Sequence, residues 1–330
     1  MDSVMIYSES HSIGTLRAGW LRAAWAAATM ALALLAPGGL SAQAICSAPH
    51  SSPALAQSGS LSTLPPGGGW IQGSLFGQRS TRFFSPDGGR QSFLGDSEFL
   101  TRSVFFSGAV GVLQGLEVWA QVPLHRLTVE SAGGNSKSTG VGDIRLAARI
   151  GPEIAGLDFP LAVRLGAKFP GSDFPVDATV LPLTEGQRDW EISLESAHRS
   201  LQRPIYIMGW VGYRWREENV EAARDPGDEV FGHLAFGGTR GKLSWELAGD
   251  ALWGKAPLAQ GFTLDGNARR LIQISPTAGW GVGPGRLEAT AQVPLWGKNL
   301  PVGTGISVGY RLTWGLEPDN PPTLLDLLGG

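Results

Sequence analysis

Downstream of residue 69 the chain alternates. Apolar side chains fall on every second position for about ten residues at a time, long enough to cross a bilayer at a tilt. Polar gaps separate these runs, and the gaps are long, short, long, short. Read as strands, the runs cover 70–79, 98–112, 116–128, 141–150, 157–169, 188–199, 205–216, 229–239, 242–253, 270–280, 285–295 and 302–315. Parity is clearest in 157–169. There Phe159, Leu161, Val163, Leu165, Ala167 and Phe169 point one way, and Asp158, Ala162, Arg164, Gly166 and Lys168 the other. A slip of one residue would exchange the two faces, so the register is firmly specified.

Strands with one oily and one charged face, joined alternately by long and short connections, predict an all-β fold: a transmembrane, antiparallel, up-and-down β-barrel of about 12 strands in a bacterial outer membrane. The even count puts both ends on one side. With the N-terminus periplasmic, the gaps near 80–97, 129–140, 170–187, 217–228 and 254–269 lie outside the cell. In lipid an unpaired sheet edge has no water to bond to, so the first and last strands must pair. Trp190, Trp215 and Trp253 fall near outer strand ends, and Trp70, Trp245, Trp280 and Trp314 near inner ends, as two interfacial girdles would require. The alternative, a soluble barrel with Trp in its core, would invert the charged and apolar faces.

Before the barrel, Arg17, Arg22 and the apolar run 23–36, followed by small residues at 41–44, read as a secretory signal over 1–44. Residues 45–69, rich in Ser, Pro and Gly, read as a flexible periplasmic linker, with a plug inside the barrel as the alternative. The barrel then spans 70–316 and a short tail 317–330. The single cysteine, Cys46, cannot form an internal disulfide.

Charge changes this picture little. The net charge is −3 and the 26 basic residues are scattered, so nothing points to nucleic acid. Parity assigns Glu117, Asp143, Arg145, Arg149, Arg164, Lys168, Asp189, Glu191, Glu195, Arg214, Glu246 and Asp250 to the lumen, with Gln121, Arg216 and Glu288 beside them. Both signs are present, so these groups either pair across the lumen or border a polar path of weak ion selectivity. No Cys/His cluster has metal spacing, and no cofactor is implied. His125, His198 and His233 lie in strands without a nucleophile phrase around them, so the chain does not read as an enzyme. Asp143 and Asp189 follow long gaps and suit strand starts better than a catalytic carboxylate pair.

Four phrases occur in order: Ala120-Gln121-Val122-Pro123-Leu124, Gly140-Val141-Gly142-Asp143-Ile144-Arg145-Leu146, Leu165-Gly166-Ala167-Lys168-Phe169-Pro170-Gly171-Ser172, and Leu183-Thr184-Glu185-Gly186-Gln187-Arg188-Asp189-Trp190-Glu191-Ile192. Their succession resembles the outer-membrane family named for the MetA-pathway of phenol degradation. The resemblance implies uptake or export of small, often aromatic, molecules and assigns no catalytic residues. Two functions therefore stay open: a passive channel or transporter for small, hydrophobic or aromatic molecules, and a non-conducting structural or adhesive barrel acting through its loops. Either implies the same partners, namely the lipid bilayer with its lipopolysaccharide and the barrel-assembly machinery; the first adds a small-molecule solute.

Overall fold

The computed structural model describes residues 63–315 except 94, 96, 132–133, 158–159, 176–179 and 201–203. The expected signal, most of the linker, the tail and the outward reading of Phe159 lie outside those residues. The strands are β1 Gly69–Ser80, β2 Arg82–Phe84, β3 Arg90–Ser92, β4 Glu98–Leu113, β5 Leu116–Ser131, β6 Gly134–Val141, β7 Ile144–Ile150, β8 Ala162–Phe169, β9 Asp189–Arg199, β10 Ile205–Arg216, β11 Arg224–Asp225, β12 Glu229–Arg240, β13 Leu243–Gly254, β14 Leu258–Ala259, β15 Phe262–Thr263, β16 Arg270–Val282, β17 Gly285–Lys298, β18 Leu300–Val302 and β19 Gly305–Trp314.

One antiparallel sheet runs β4-β1-β19-β17-β16-β13-β12-β10-β9-β8-β7-β5-β6 and closes on itself through β4–β5. The strands β6 and β7 share one crossing, because both pair with β5, one above Pro123 and one below. The result is a closed barrel of 12 crossings. Its seam joins the first and last crossings, β1 and β19, over the register Gly69↔Trp314 to Gln78↔Gly305. No helix among the described residues is long and apolar enough to cross a membrane; the strands do the crossing, and the protein is an outer-membrane barrel.

The two faces differ as the alternation requires. Phe106, Val211 and Leu234 are 55–60% exposed on the outer wall, while Glu117, Lys168 and Asp189 are each 1% exposed inside. Trp190, Trp215, Trp253, Trp245, Trp280 and Trp314 are all exposed outward. Trp70 differs from its expected place in the inner girdle. It is at the inner end but turned inward, 1% exposed, against Leu64 and Ala109. Its parity matches Gln72 and Ser74, so the alternation of β1 already put it on the inner face.

Two boundaries also move. The crossing expected from 157 starts at Ala162. Pro160 cannot donate to a ladder, and the chain before it is a 3₁₀ turn over Pro152–Ala155. The expected gap 129–140 is mostly strand. β5 and β6 continue as a hairpin through Glu130↔Asn135 and Ser131↔Gly134. Above the membrane both faces are polar, so period-two hydrophobicity disappears while β-prone Thr and Val persist.

Candidate functional site: the barrel interior

Charged inward residues of β7, β8 and β9 and of the upper ends of β10 and β12 are tied together. Arg149 lies between Glu117 (3.8 Å) and Glu195 (2.8 Å), and Arg164 reaches the other oxygen of Glu195 at 2.9 Å. Arg149 and Arg164 are register partners. Like charges directly opposite are unfavourable, and the shared carboxylate offsets this. Higher up, Glu191 accepts from Arg145 at 3.1 Å and Arg214 at 2.7 Å, and Arg214 also bonds Glu229 at 2.5 Å. Arg216 bonds Glu229 at 3.3 Å and Asp189 at 3.5 Å, and Lys168 bonds Asp189 at 2.8 Å and Asp143 at 3.5 Å. Asp143 and Asp189 thus share a lysine rather than forming a carboxylate pair.

The upper end of this arc is closed by a loop residue. Glu185, between β8 and β9, bonds Lys168 at 2.5 Å, Arg216 at 2.7 Å and Arg269 at 2.9 Å. Its backbone oxygen accepts from Asn219 Nδ2 at 3.0 Å. Burial alone would raise this carboxyl, but Arg216, Lys168 and Arg269 together hold it well below the ordinary glutamate range. Arg269 also bonds Glu229. Strand parity could not find Glu185 or Arg269, because both lie in connections.

The lower end is filled from the N-terminal side. Leu64 is 1% exposed, and its backbone N–H donates to Glu117 Oε2 at 2.7 Å. Gly67 N–H donates to Gly111 O, and Gly111 N–H to Gly68 O. A Cβ at Gly111 would lie 2.2 Å from the Pro65 carbonyl oxygen, so this close approach requires glycine. Glu117, assigned to the lumen by parity, is inside, where it pins this segment.

The opposite wall has another chemistry. Between the two ends lies a cavity of about 80 Å³, bordered largely by serine, threonine and glutamine of β1, β4, β16, β17 and β19. Thr277 and Thr290 hydroxyls meet at 2.8 Å across β16 and β17, and Phe76 and Phe105 meet edge-to-face at 6.2 Å. Glu246, Asp250 and Glu288 complete the border. Each is engaged: Tyr206 Oη donates to Glu246 at 2.7 Å, Gln273 Nε2 to Asp250 at 3.1 Å, and Glu288 pairs with Arg311.

Two histidine contacts were invisible along the chain. Ser103 Oγ lies 2.7 Å from His125 Nδ1, and Asp250 Oδ1 lies 2.7 Å from His233 Nδ1. Both pairs are register partners on adjacent strands. Trp210 stacks on His233 with ring centroids 3.9 Å apart. The hairpin register, once fixed, would have predicted both pairs.

Comparison with solved structures places this barrel beside an outer-membrane channel of Pseudomonas putida F1, at 15% identity and a TM-score of 0.65, covering 78% of this chain and 98% of that one. That likeness is one of fold. The translocator domain of the autotransporter NalP from Neisseria meningitidis aligns at 10% identity and TM-score 0.42, covering 78% and 92%. A mutant of the TodX monoaromatic hydrocarbon channel aligns at 8% and 0.38, covering 77% and 91%. No curated protein matches. The sequence profile of the family described as "Putative MetA-pathway of phenol degradation" matches residues 76–310 of the 330. With that match across most of the barrel, the chain belongs to this family of outer-membrane proteins.

Proposed function

We propose that the protein is a passive outer-membrane channel for small molecules, hydrophobic and aromatic ones included. The observation that carries this reading is the cavity against the hydroxyl- and amide-bearing wall. It sits inside a closed barrel, between the Glu185 cluster above and the Leu64 segment below. Its lining combines Phe76 and Phe105 with serine, threonine and glutamine. Such a surface accepts a molecule with an apolar body and a hydrogen-bonding edge. The charged arc flanks this path rather than lining it, since its groups spend their hydrogen bonds on one another. No catalytic step is proposed. The reading keeps residues 1–44 as an export signal and assembly through the barrel-assembly machinery.

Small apolar solutes cross phospholipid without help, so the test uses cells whose outer leaflet is lipopolysaccharide. Cells lacking the chain are compared with cells expressing it or its Ser307→Trp variant, which fills the cavity from β19. Faster uptake of a radiolabelled aromatic alcohol with the wild type, lost in the variant, is expected. Equal uptake in all three, together with no current in planar bilayers, would leave a non-conducting barrel.

A further inference from the structure

The cavity inside the barrel carries charge of one sign. Glu246, Asp250 and Glu288 line it, and among the described residues no lysine, arginine or histidine does. The basic residues of β7, β8 and β10 stay with their own carboxylates on the opposite arc, and Arg311 is paired with Glu288. Glu246 and Asp250 stand on the inward face of β13, on either side of Ala248, and each is only 6% exposed. Neither meets a lysine or an arginine among the described residues. Asp250 is bound by His233, Gln273 and Ser275. Glu246 accepts one hydrogen bond, from Tyr206 Oη to Oε2. Its Oε1 accepts none among the described residues, although the side chain borders the cavity.

Across the cavity the surface is aromatic. β4 lies five strands round from β13 in a barrel of 12, nearly on the opposite side. Phe105 of β4 and Phe76 of the adjacent β1 line that side. One rung of register partners links acid to ring: Glu246 to Thr277, Thr277 to Thr290, Thr290 to Ser307, and Ser307 to Phe76. All of them line the cavity, so three hydroxyls separate the carboxylate from the aromatic patch.

A buried carboxylate costs free energy unless a counter-charge or full hydrogen bonding offsets it. On the charged arc arginine supplies that offset; at Glu246 the side facing the cavity is open. An ammonium group there would make a charge-assisted hydrogen bond. An aryl body would pack on Phe76 and Phe105. We propose that the cavity selects arylalkyl ammonium ions, with the ammonium on Glu246 and the neighbouring acids and the ring toward the Phe76–Phe105 side. This rests on the channel reading above and names the solute class that the channel favours. A neutral aromatic alcohol fits the same surface but gains no charge pairing. An aryl carboxylate meets like charge along the whole lining.

The test uses planar bilayers holding the purified full chain under a potassium chloride gradient at neutral pH. The reversal potential of the wild type should show potassium passing about tenfold better than chloride, because a lining of one sign concentrates the opposite ion. Phenethylammonium should slow the potassium current, and phenylacetate at the same concentration should not. Glu246→Gln/Asp250→Asn should bring potassium and chloride close to parity and abolish the slowing. Glu246→Gln alone should move both readings the same way by less, and it serves if the double variant does not fold. Heat-modifiable migration on gels reports folding. A conducting wild type without cation preference, or one slowed alike by both organic ions, would overturn the proposal and leave the channel reading standing. So would a folded Glu246→Gln variant that keeps the full preference. A wild type that carries no current removes both.

Discussion

The two walls of the interior are built from the same geometry and end up doing different things. On the arc from β7 to β12 the inward face carries most of the long charged residues, beside an apolar patch of Met208, Trp210, Phe231 and Ala235, and Arg145, Arg149, Arg164, Lys168, Arg214 and Arg216 each find a carboxylate. On the arc from β16 through β17, β19 and β1 to β4, inward residues such as Ser74, Ser107, Ser275, Thr277, Thr290 and Ser307 are short and uncharged, with Glu288 and Arg311 paired to each other among them. Long groups of both signs reach across and fill their half. Short hydroxyls stay at the wall, and the space is left in front of them. The position of the cavity is thus set by side-chain length and charge pairing, not by strand count. A buried charge is tolerated only with its partners, so the filled half resists emptying, whereas the other half can exchange solvent for solute.

The sharpest way to break this comparison is to remove a shared cation. Arg214→Leu leaves Glu191 without its closest partner and removes one of the three arginines that hold Glu229. A cost of about 3–5 kcal/mol is expected, read from urea unfolding followed by tryptophan fluorescence. A loss below about 1 kcal/mol would mean that the charged arc is solvated and belongs to the path. On the lipid side, Leu165→Arg should cost about 2–4 kcal/mol, by the depth-dependent penalty for charge at the midplane. Its register partner Ala148 also faces outward, so no inward group can rescue it.

These contrasts also show what a linear reading can see. Alternation located each crossing, because a strand facing lipid and a charged interior has to show its period. The twelve charged positions that parity assigns to the lumen are buried or half-buried. The hairpin β5–β6 was missed because water on both faces erases the period. Glu185 and Arg269 were missed because connections have no parity. Leu64 was missed because its place depends on Gly111, a glycine whose role is set by a segment more than forty residues away. The uncharged wall drew no notice for a different reason: serine and threonine signal nothing singly, and their sum matters only when the barrel brings them together.

Acidification separates the walls less violently. Glu185 has its folded pKa depressed well below the ordinary 4.5 by Arg216, Lys168 and Arg269, which outweigh its burial. A depressed carboxyl contributes stability that is complete above the unfolded value and lost as pH falls through the folded one. The wild type should therefore hold this contribution from pH 7 down to about 4.5 and lose it below, whereas Glu185→Gln should start lower and fall less steeply in the acid range. Thermal unfolding across that range checks it. Parallel curves would show that the cluster does not hold the upper mouth together.

The smallest effect is the one that sharpens the comparison most. Thr290→Val removes one hydroxyl from the Thr277–Thr290 pair, 2.8 Å apart on the cavity wall, and keeps the side-chain shape. If the uncharged wall were merely structural, the loss would be that of one modest hydrogen bond, about 0.5–1.5 kcal/mol, with transport unaffected. If that wall borders the path, the same change alters what the cavity offers a solute. Stability should then drop by no more than this, while uptake of an aromatic alcohol should fall relative to that of the matching hydrocarbon, because only the alcohol uses the hydroxyl. A matched variant on the other wall, Ser193→Ala beside Arg164 and Glu195, should leave that ratio alone. Were Ser193→Ala to move the ratio and Thr290→Val to leave it unchanged, the path would run along the charged arc, and the roles given to the two walls would be exchanged.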